Sequence, residues 1–62
     1  MKKFTLENAM IKAIQQFKKS HKDGTIRNIY SWEWCSNHAL FNIEYVDDQG
    51  EYHEMQINIK AE

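Results

Sequence analysis

The spacing of apolar residues changes at the dipeptide Asp23-Gly24, and this change divides the chain into a helical part and a strand part. Before the dipeptide, apolar side chains recur every three or four residues, which is the period of a one-sided helix. After it, apolar and polar residues alternate, which is typical of strands with one buried face. The sequence therefore predicts one helix over residues 6–21, with an apolar side formed by Leu6, Ala9, Met10, Ala13, Ile14 and Phe17.

Thr5 and Gly24 are predicted to mark the two ends of this helix. The Thr5 hydroxyl can accept a hydrogen bond from the backbone amide of Glu7 or Asn8, which is the role of an N-cap residue. Lysines crowd the last turn, where positive charge interacts favourably with the helix dipole. Gly24 is expected to adopt the left-handed conformation that commonly ends a helix.

Three strands are predicted after the helix, over residues 25–35, 39–47 and 51–60. The two connections have turn-forming compositions, and Gly50 in the second is expected in the left-handed conformation. Pairing the strands through these turns places the apolar sets of all three on one face of the sheet. The predicted opposite pairs are Trp34 with Ala39, Trp32 with Phe41, Tyr30 with Ile43, Tyr45 with His53, Ile43 with Met55, and Phe41 with Ile57.

These elements predict an α+β fold class. Residues 1–62 form a single small domain with a two-layer α-β-β-β architecture, in which one N-terminal amphipathic helix packs on a three-stranded antiparallel meander sheet. A domain of about 60 residues buries a small core and is marginally stable alone. The three Phe, three Tyr and two Trp residues offset this through a dense aromatic core.

The apolar face of the predicted sheet is larger than one helix can cover. We therefore expect part of the first strand, which carries Tyr30, Trp32 and Trp34, to be incompletely covered. Burial is favoured for Trp32, which is central, whereas burial and exposure are equally expected for Trp34. Exposed aromatic surface on a small protein usually belongs to a binding surface or a dimer interface.

Composition excludes several classes of protein. A chain of 62 residues is too short for the large nucleotide-binding and barrel enzymes, and its single Cys cannot form an internal disulfide. No apolar run exceeds three residues, and the N-terminus lacks the apolar stretch of a signal peptide. We therefore expect a cytoplasmic protein without membrane contact.

The spacing Cys35-x-x-His38 is the feature most similar to a metal-binding motif. A structural zinc site needs four ligands, so His21 and His53 would have to complete it. The predicted register places His53 beside Tyr45, at the opposite end of the sheet from Cys35. No metal and no cofactor are therefore predicted, and His53 is interpreted as a half-buried, hydrogen-bonded residue at the edge of the core.

Charge is divided unevenly between the two halves of the chain. Residues 1–31 contain seven basic and two acidic side chains, a net charge of +5, whereas residues 32–62 contain one basic and seven acidic, a net charge of −6. The basic helix face supports a nucleic-acid-binding alternative, although the acidic second half weighs against it. The residues of that alternative are Lys12, Lys18, Lys19, Lys22 and Arg27.

The function predicted first is that of a protein-binding module without enzymatic activity. No arrangement of nucleophile, base and oxyanion site is recognisable, while aromatic residues are in surplus and charge is segregated. The partner is expected to be a larger protein that this chain regulates or inhibits, and homodimerisation through an unpaired strand edge is a second expectation. The candidate contacts are Tyr30, Trp34, Glu44, Asp47, Asp48, Glu51, Tyr52 and Glu54.

The excess of lysine over arginine, seven to one, suggests an accessory protein of an AT-rich bacterium or its phage.

Overall fold

A computed structural model describes residues 4–61 of the chain and shows one helix packed on a three-stranded sheet. The sheet is antiparallel with strand order β1-β2-β3, so consecutive strands are neighbours. This is the predicted two-layer α+β arrangement, and each element begins and ends within one residue of its predicted bounds. The elements are α1 (Leu6–Ser20), β1 (Thr25–Trp34), β2 (His38–Val46) and β3 (Tyr52–Lys60).

The helix begins as the sequence predicts. Thr5 is extended, and its Oγ1 accepts a hydrogen bond of 3.1 Å from the backbone amide of Asn8. This bond satisfies one of the amides that the first turn of a helix leaves without a partner. At the other end, the amide of His21 donates to the carbonyl of Phe17 at 2.8 Å.

Gly24 does not have the predicted left-handed conformation; among residues 4–61, positive φ is found at Gly50. The reason for glycine at position 24 is space, because a Cβ there would lie 2.8 Å from Cζ of Phe17 and 3.3 Å from Cδ2 of Tyr45. The chain passes so close to the helix–sheet contact that no side chain fits.

The connection between β2 and β3 does have the predicted left-handed glycine. Gly50 has a φ of 81°, and its amide donates to the carbonyl of Asp47 at 3.1 Å. The Asp47 carboxylate also accepts hydrogen bonds from the backbone amides of Gln49 and Glu51, both at 2.9 Å. An aspartate at the start of a turn commonly closes it in this way.

The predicted register of β2 and β3 is confirmed. Tyr45 faces His53, Ile43 faces Met55, and Phe41 faces Ile57. These side chains lie on the face that α1 covers, and the three largest fully buried residues among residues 4–61 are Phe17, Phe41 and Ile43. The buried apolar core consists of Ala9, Ala13, Phe17, Ala39, Phe41, Ile43, Tyr45, Ile57 and Ile59.

The predicted register of β1 is wrong over most of the strand, although Trp34 faces Ala39 as expected. Two β-bulges, at Arg27 and Trp32, each insert one residue that has no partner in β2. Between the bulges the alternation is inverted, so Ile29 faces Ile43 on the covered side, and Tyr30 faces Asn42 on the other side. The inversion packs the partly buried, aliphatic Ile29 against the core and leaves the hydroxyl of Tyr30 free to hydrogen-bond.

The expected burial of Trp32 is also wrong, because this side chain is 60% exposed. The helix packs mainly on β2 and β3, which leaves β1 at an edge that α1 hardly covers. Trp34 is 45% exposed, and its ring stacks on Phe4 with centroids 5.1 Å apart. The expectation that the sheet exceeds its helix is therefore confirmed, and the uncovered part is β1.

Candidate functional site

The sheet face opposite α1, called the outer face here, carries half of the predicted contact residues. The register places Tyr30 of β1, Glu44 of β2, and Tyr52 and Glu54 of β3 on this face. The described part of the chain has no element that covers it. Four of the eight predicted contacts therefore lie on one accessible surface, to which all three strands contribute.

Asn42 lies at the centre of this surface and is almost completely buried, with 8% of its area exposed. Its side-chain amide donates to the hydroxyl of Tyr30 at 3.0 Å and to Oε1 of Glu54 at 3.4 Å. Because Tyr30 and Glu54 belong to the two outer strands, this one side chain links β1, β2 and β3. A buried amide with such partners fixes the positions of the groups around it.

Tyr52 and Glu44 are the second linked pair on the outer face. Partial desolvation, the hydrogen bond with Glu44 and the negative charges of Glu44 and Glu54 raise the pKa of Tyr52 to about 12. Glu44 and Glu54 face each other directly across β2 and β3. Like charges at opposite positions of a sheet repel one another, so this surface favours the approach of a cation.

Together, Tyr30, Asn42, Glu44, Tyr52 and Glu54 are called the outer-face cluster below. Asn42 is the member that sequence reasoning missed. The available signal was an asparagine in the middle of the central strand, a position where residues of low β-propensity are uncommon. Its contact with Tyr30 could not be found from the sequence, because the bulges of β1 bring Tyr30 opposite to it.

The other predicted contact residues lie elsewhere. Trp34 is on the covered side of the sheet, beside Phe4. Asp47, Asp48 and Glu51 form the connection from β2 to β3, which ends one residue before Tyr52.

Asp47 has a structural role in this connection. The backbone amide of Glu51, the side chain of His53 and the amide of Gln49 all donate hydrogen bonds to its carboxylate and lower its pKa below the ordinary value of 3.8. Nε2 of His53 lies 2.7 Å from Asp47 Oδ2, and the imidazole stacks on Tyr45. The interpretation of His53 as a half-buried, hydrogen-bonded residue at the core edge is confirmed.

Two of the five basic residues of the alternative prediction line one groove. Lys12 and Lys19 line a groove of about 420 Å³ between α1 and β3, together with Gln15, Gln16, Ile59 and Lys60. Lys60 is a basic residue of this groove that sequence reasoning did not include. The remaining three, Lys18, Lys22 and Arg27, are exposed but are not among the lining residues.

Within residues 4–61, two groups of side chains bring potential metal ligands together: Glu33 with Cys35 and His38, and Asp47 with Glu51 and His53. The four-ligand combination considered from the sequence is not formed. His21 stacks on the ring of Phe17 and contacts Tyr45 at a tilt, at the end of the sheet opposite to Cys35 and His38.

None of the helices in the described part of the chain has the length and apolar character needed to cross a bilayer. Comparison of the chain with protein-family models, curated proteins and solved structures finds no match.

Proposed function

We propose that this protein is a non-enzymatic protein-binding module, and that its outer face binds a basic segment of a larger protein that it regulates or inhibits. The observation that carries the proposal is the convergence of two tyrosines and two glutamates from three strands on one uncovered sheet face. Asn42 holds this arrangement in place through its bonds to Tyr30 and Glu54.

The chemistry of the outer-face cluster suits a cationic partner. Tyrosine combines a large contact area with little conformational freedom to lose, and its ring attracts lysine or arginine through cation–π interactions. Carboxylates accept charge-assisted hydrogen bonds from guanidinium groups, often in pairs. A bound arginine would also relieve the repulsion between Glu44 and Glu54, which face each other across the sheet.

Tyr52 is available to a partner as a hydrogen-bonding group. Its pKa, raised to about 12, keeps the phenol protonated at neutral pH. Its hydrogen bond with Glu44 and the bond between Asn42 and Tyr30 keep the polar groups of the cluster paired with one another. Such a surface offers fixed acceptors and aromatic rings to a partner.

Site-specific photo-cross-linking in the source cell tests this proposal. Benzoylphenylalanine in place of Tyr52 is expected to yield a discrete adduct with a larger protein, whose attached peptide is rich in lysine or arginine. The same probe in place of Ile11, which is exposed on α1, is the control and should give no such adduct. Adducts from Ile11 alone, or none from either position, would contradict the proposal.

Neutral variants separate charge from shape at the same surface. Glu44→Gln combined with Glu54→Gln is expected to abolish the adduct at Tyr52, whereas Glu7→Gln on α1 should leave it unchanged. Retention of the adduct in the double variant would mean that the carboxylates do not recognise the partner.

The groove lined by Lys12, Lys19 and Lys60 favours a second candidate function, the binding of nucleic acid. Lysines along a groove attract phosphates, and such binding weakens steeply as salt is added. Under this alternative, Lys12→Gln and Lys19→Gln should reduce both the affinity for DNA or RNA and its salt dependence, while Lys18→Gln outside the groove has less effect. An absence of binding at low salt would reject it.

Self-association through a strand edge also stays a prediction. Both β1 and β3 are edge strands, and the two bulges of β1 make it the less regular edge for pairing with another copy. Sedimentation velocity over a range of protein concentrations measures this directly: a dimer appears as a faster component that grows with concentration.

A further inference from the structure

The connection between β1 and β2 brings together three side chains of types that can ligate zinc. A carboxylate oxygen of Glu33, Sγ of Cys35 and a ring nitrogen of His38 all lie within 4.8 Å of one another. In a tetrahedral zinc site, with Zn–S near 2.3 Å and Zn–N or Zn–O near 2.0–2.1 Å, ligand atoms are roughly 3.3–3.6 Å apart. Nε2 of His38 and Oε2 of Glu33 are closer than this, at 2.5 Å, so side-chain rotations that adjust these separations in both directions would complete the geometry.

The backbone holds two of these ligands on one closed connection. The amide of Cys35 donates to the carbonyl of His38 at 2.9 Å, and the amide of Ala61 donates to the carbonyl of Asn37 at 2.8 Å. The first bond closes the connection, and the second ties it to the chain just after β3. Ligands on a fixed backbone lose little conformational freedom when a metal binds, which raises the affinity.

The surroundings of His38 favour a metal at Nε2. Nδ1 lies 2.9 Å from Oδ1 of Asn37, so the Nδ1–H tautomer of the ring can donate to this oxygen and has its lone pair on Nε2. Metal-ligating histidines commonly donate their other N–H group in this way. Nε2 lies 2.5 Å from Oε2 of Glu33, so the imidazole and the carboxylate of the candidate site already adjoin each other.

We propose that Glu33, Cys35 and His38 form a three-ligand site for Zn²⁺, with water in the fourth position. Thiolate and imidazole ligands select zinc over the oxygen-preferring Mg²⁺ and Ca²⁺. Cys35 and His38 share the Cys-x-x-His spacing at the hairpin. Glu33, near the end of β1, supplies the third ligand. The site lies at the hairpin and does not depend on the function proposed for the outer-face cluster.

The second group of acidic and histidine side chains provides a matched control. Asp47, Glu51 and His53 are also within 4.8 Å of one another, but the Asp47 carboxylate already accepts two backbone amides and the His53 ring. That group lacks a thiolate and closes the other hairpin of the same sheet. Loss of its histidine should leave zinc binding unchanged.

Cobalt titration of the full reduced chain tests the site, because Co²⁺ reports thiolate coordination by a near-ultraviolet charge-transfer band. We expect one Co²⁺ per chain with this band, displaced by one equivalent of Zn²⁺. Cys35→Ser should abolish the band, and His38→Gln or Glu33→Gln should weaken zinc binding at least about tenfold in calorimetry. His53→Gln should bind as the natural chain does.

Circular dichroism of each variant shows whether it has lost only the metal site or has also lost the fold. Absence of the charge-transfer band in the folded natural chain would overturn the proposal. Unchanged zinc affinity in folded Cys35→Ser and His38→Gln would overturn it as well, and so would an equal loss in His53→Gln.

Discussion

β2 and β3 differ from β1 in how strictly they obey the alternation of their residues. The pairs between β2 and β3 follow one uninterrupted register, with the apolar members on the side of α1. β1 departs from its alternation at Arg27 and Trp32, although its sequence alternates as clearly. The difference shows that register is strictly specified where a helix covers one face, and weakly specified at an edge that the helix leaves open.

The largest effect is expected from Phe41→Ala in the covered part of β2. Phe41 is fully buried and pairs with Ile57 of β3. Removal of a buried phenylalanine ring costs about 3–5 kcal/mol, a large share of the stability of so small a domain. Urea denaturation followed by circular dichroism should show a largely unfolded variant at room temperature. A cooperative transition at the natural midpoint would contradict the described core.

Gly24→Ala is expected to have the next largest effect. The added Cβ would lie 2.8 Å from Cζ of Phe17, which is buried and has little room to move. Overpacking of this kind costs about 1–3 kcal/mol. Gly50→Ala is a useful comparison, because it meets no atom within 4 Å and instead strains a backbone with φ at 81°. If Gly24→Ala stabilised the protein, the chain would not pass close to the core there.

Trp32→Ala should cost less than about 1 kcal/mol, despite the size of the side chain that it removes. Trp32 is 60% exposed and occupies a bulge of the edge strand. Exposed positions away from the core tolerate substitution well. The same denaturation experiment, run beside Phe41→Ala, compares the two regions directly. A loss as large as that of Phe41→Ala would place this ring in the core.

The smallest effect on stability is expected for the turn between β2 and β3, and it appears only at acidic pH. Hydrogen bonds from Glu51, His53 and Gln49 lower the folded-state pKa of Asp47 below 3.8. A carboxyl group whose pKa is lower in the folded state stabilises the protein at pH values above its unfolded-state pKa. This stabilisation is lost as the pH falls from about 4 through the folded-state pKa. Asp47→Asn should therefore flatten the decline of the urea midpoint below pH 4. An identical decline in both proteins would show that the Asp47 carboxylate does not stabilise the fold in this way.

Much of the fold was predictable because local signals agreed with one another. The N-cap Thr5, the left-handed Gly50 and the pairing of Tyr45 with His53 all follow from residue type and spacing. The position of Tyr30 was not predictable, since a β-bulge depends on what the neighbouring strand and the helix leave uncovered. The reason for Gly24 was equally hidden, because it is a distance between two elements and not a backbone preference.

The residues of the candidate sites were also predictable from the sequence only in part. The alternation places Tyr52, Glu44 and Glu54 on the outer face. The contact between Tyr30 and Asn42 could not be predicted, because the bulges of β1 bring these two side chains together. The third potential metal ligand, Glu33, was missed for a related reason. It belongs to β1, and only the closed connection brings it to Cys35 and His38.

The bulges of β1 turn Tyr30 to the outer face, where it meets Asn42. Nuclear Overhauser effects from the Tyr30 ring in solution measure this placement. The structure predicts contacts from this ring to the side-chain amide of Asn42, with Ile29 in contact with Ile43 on the other face. Contacts from the Tyr30 ring to Ile43 would indicate the regular register and contradict the placement of Tyr30 on the outer face.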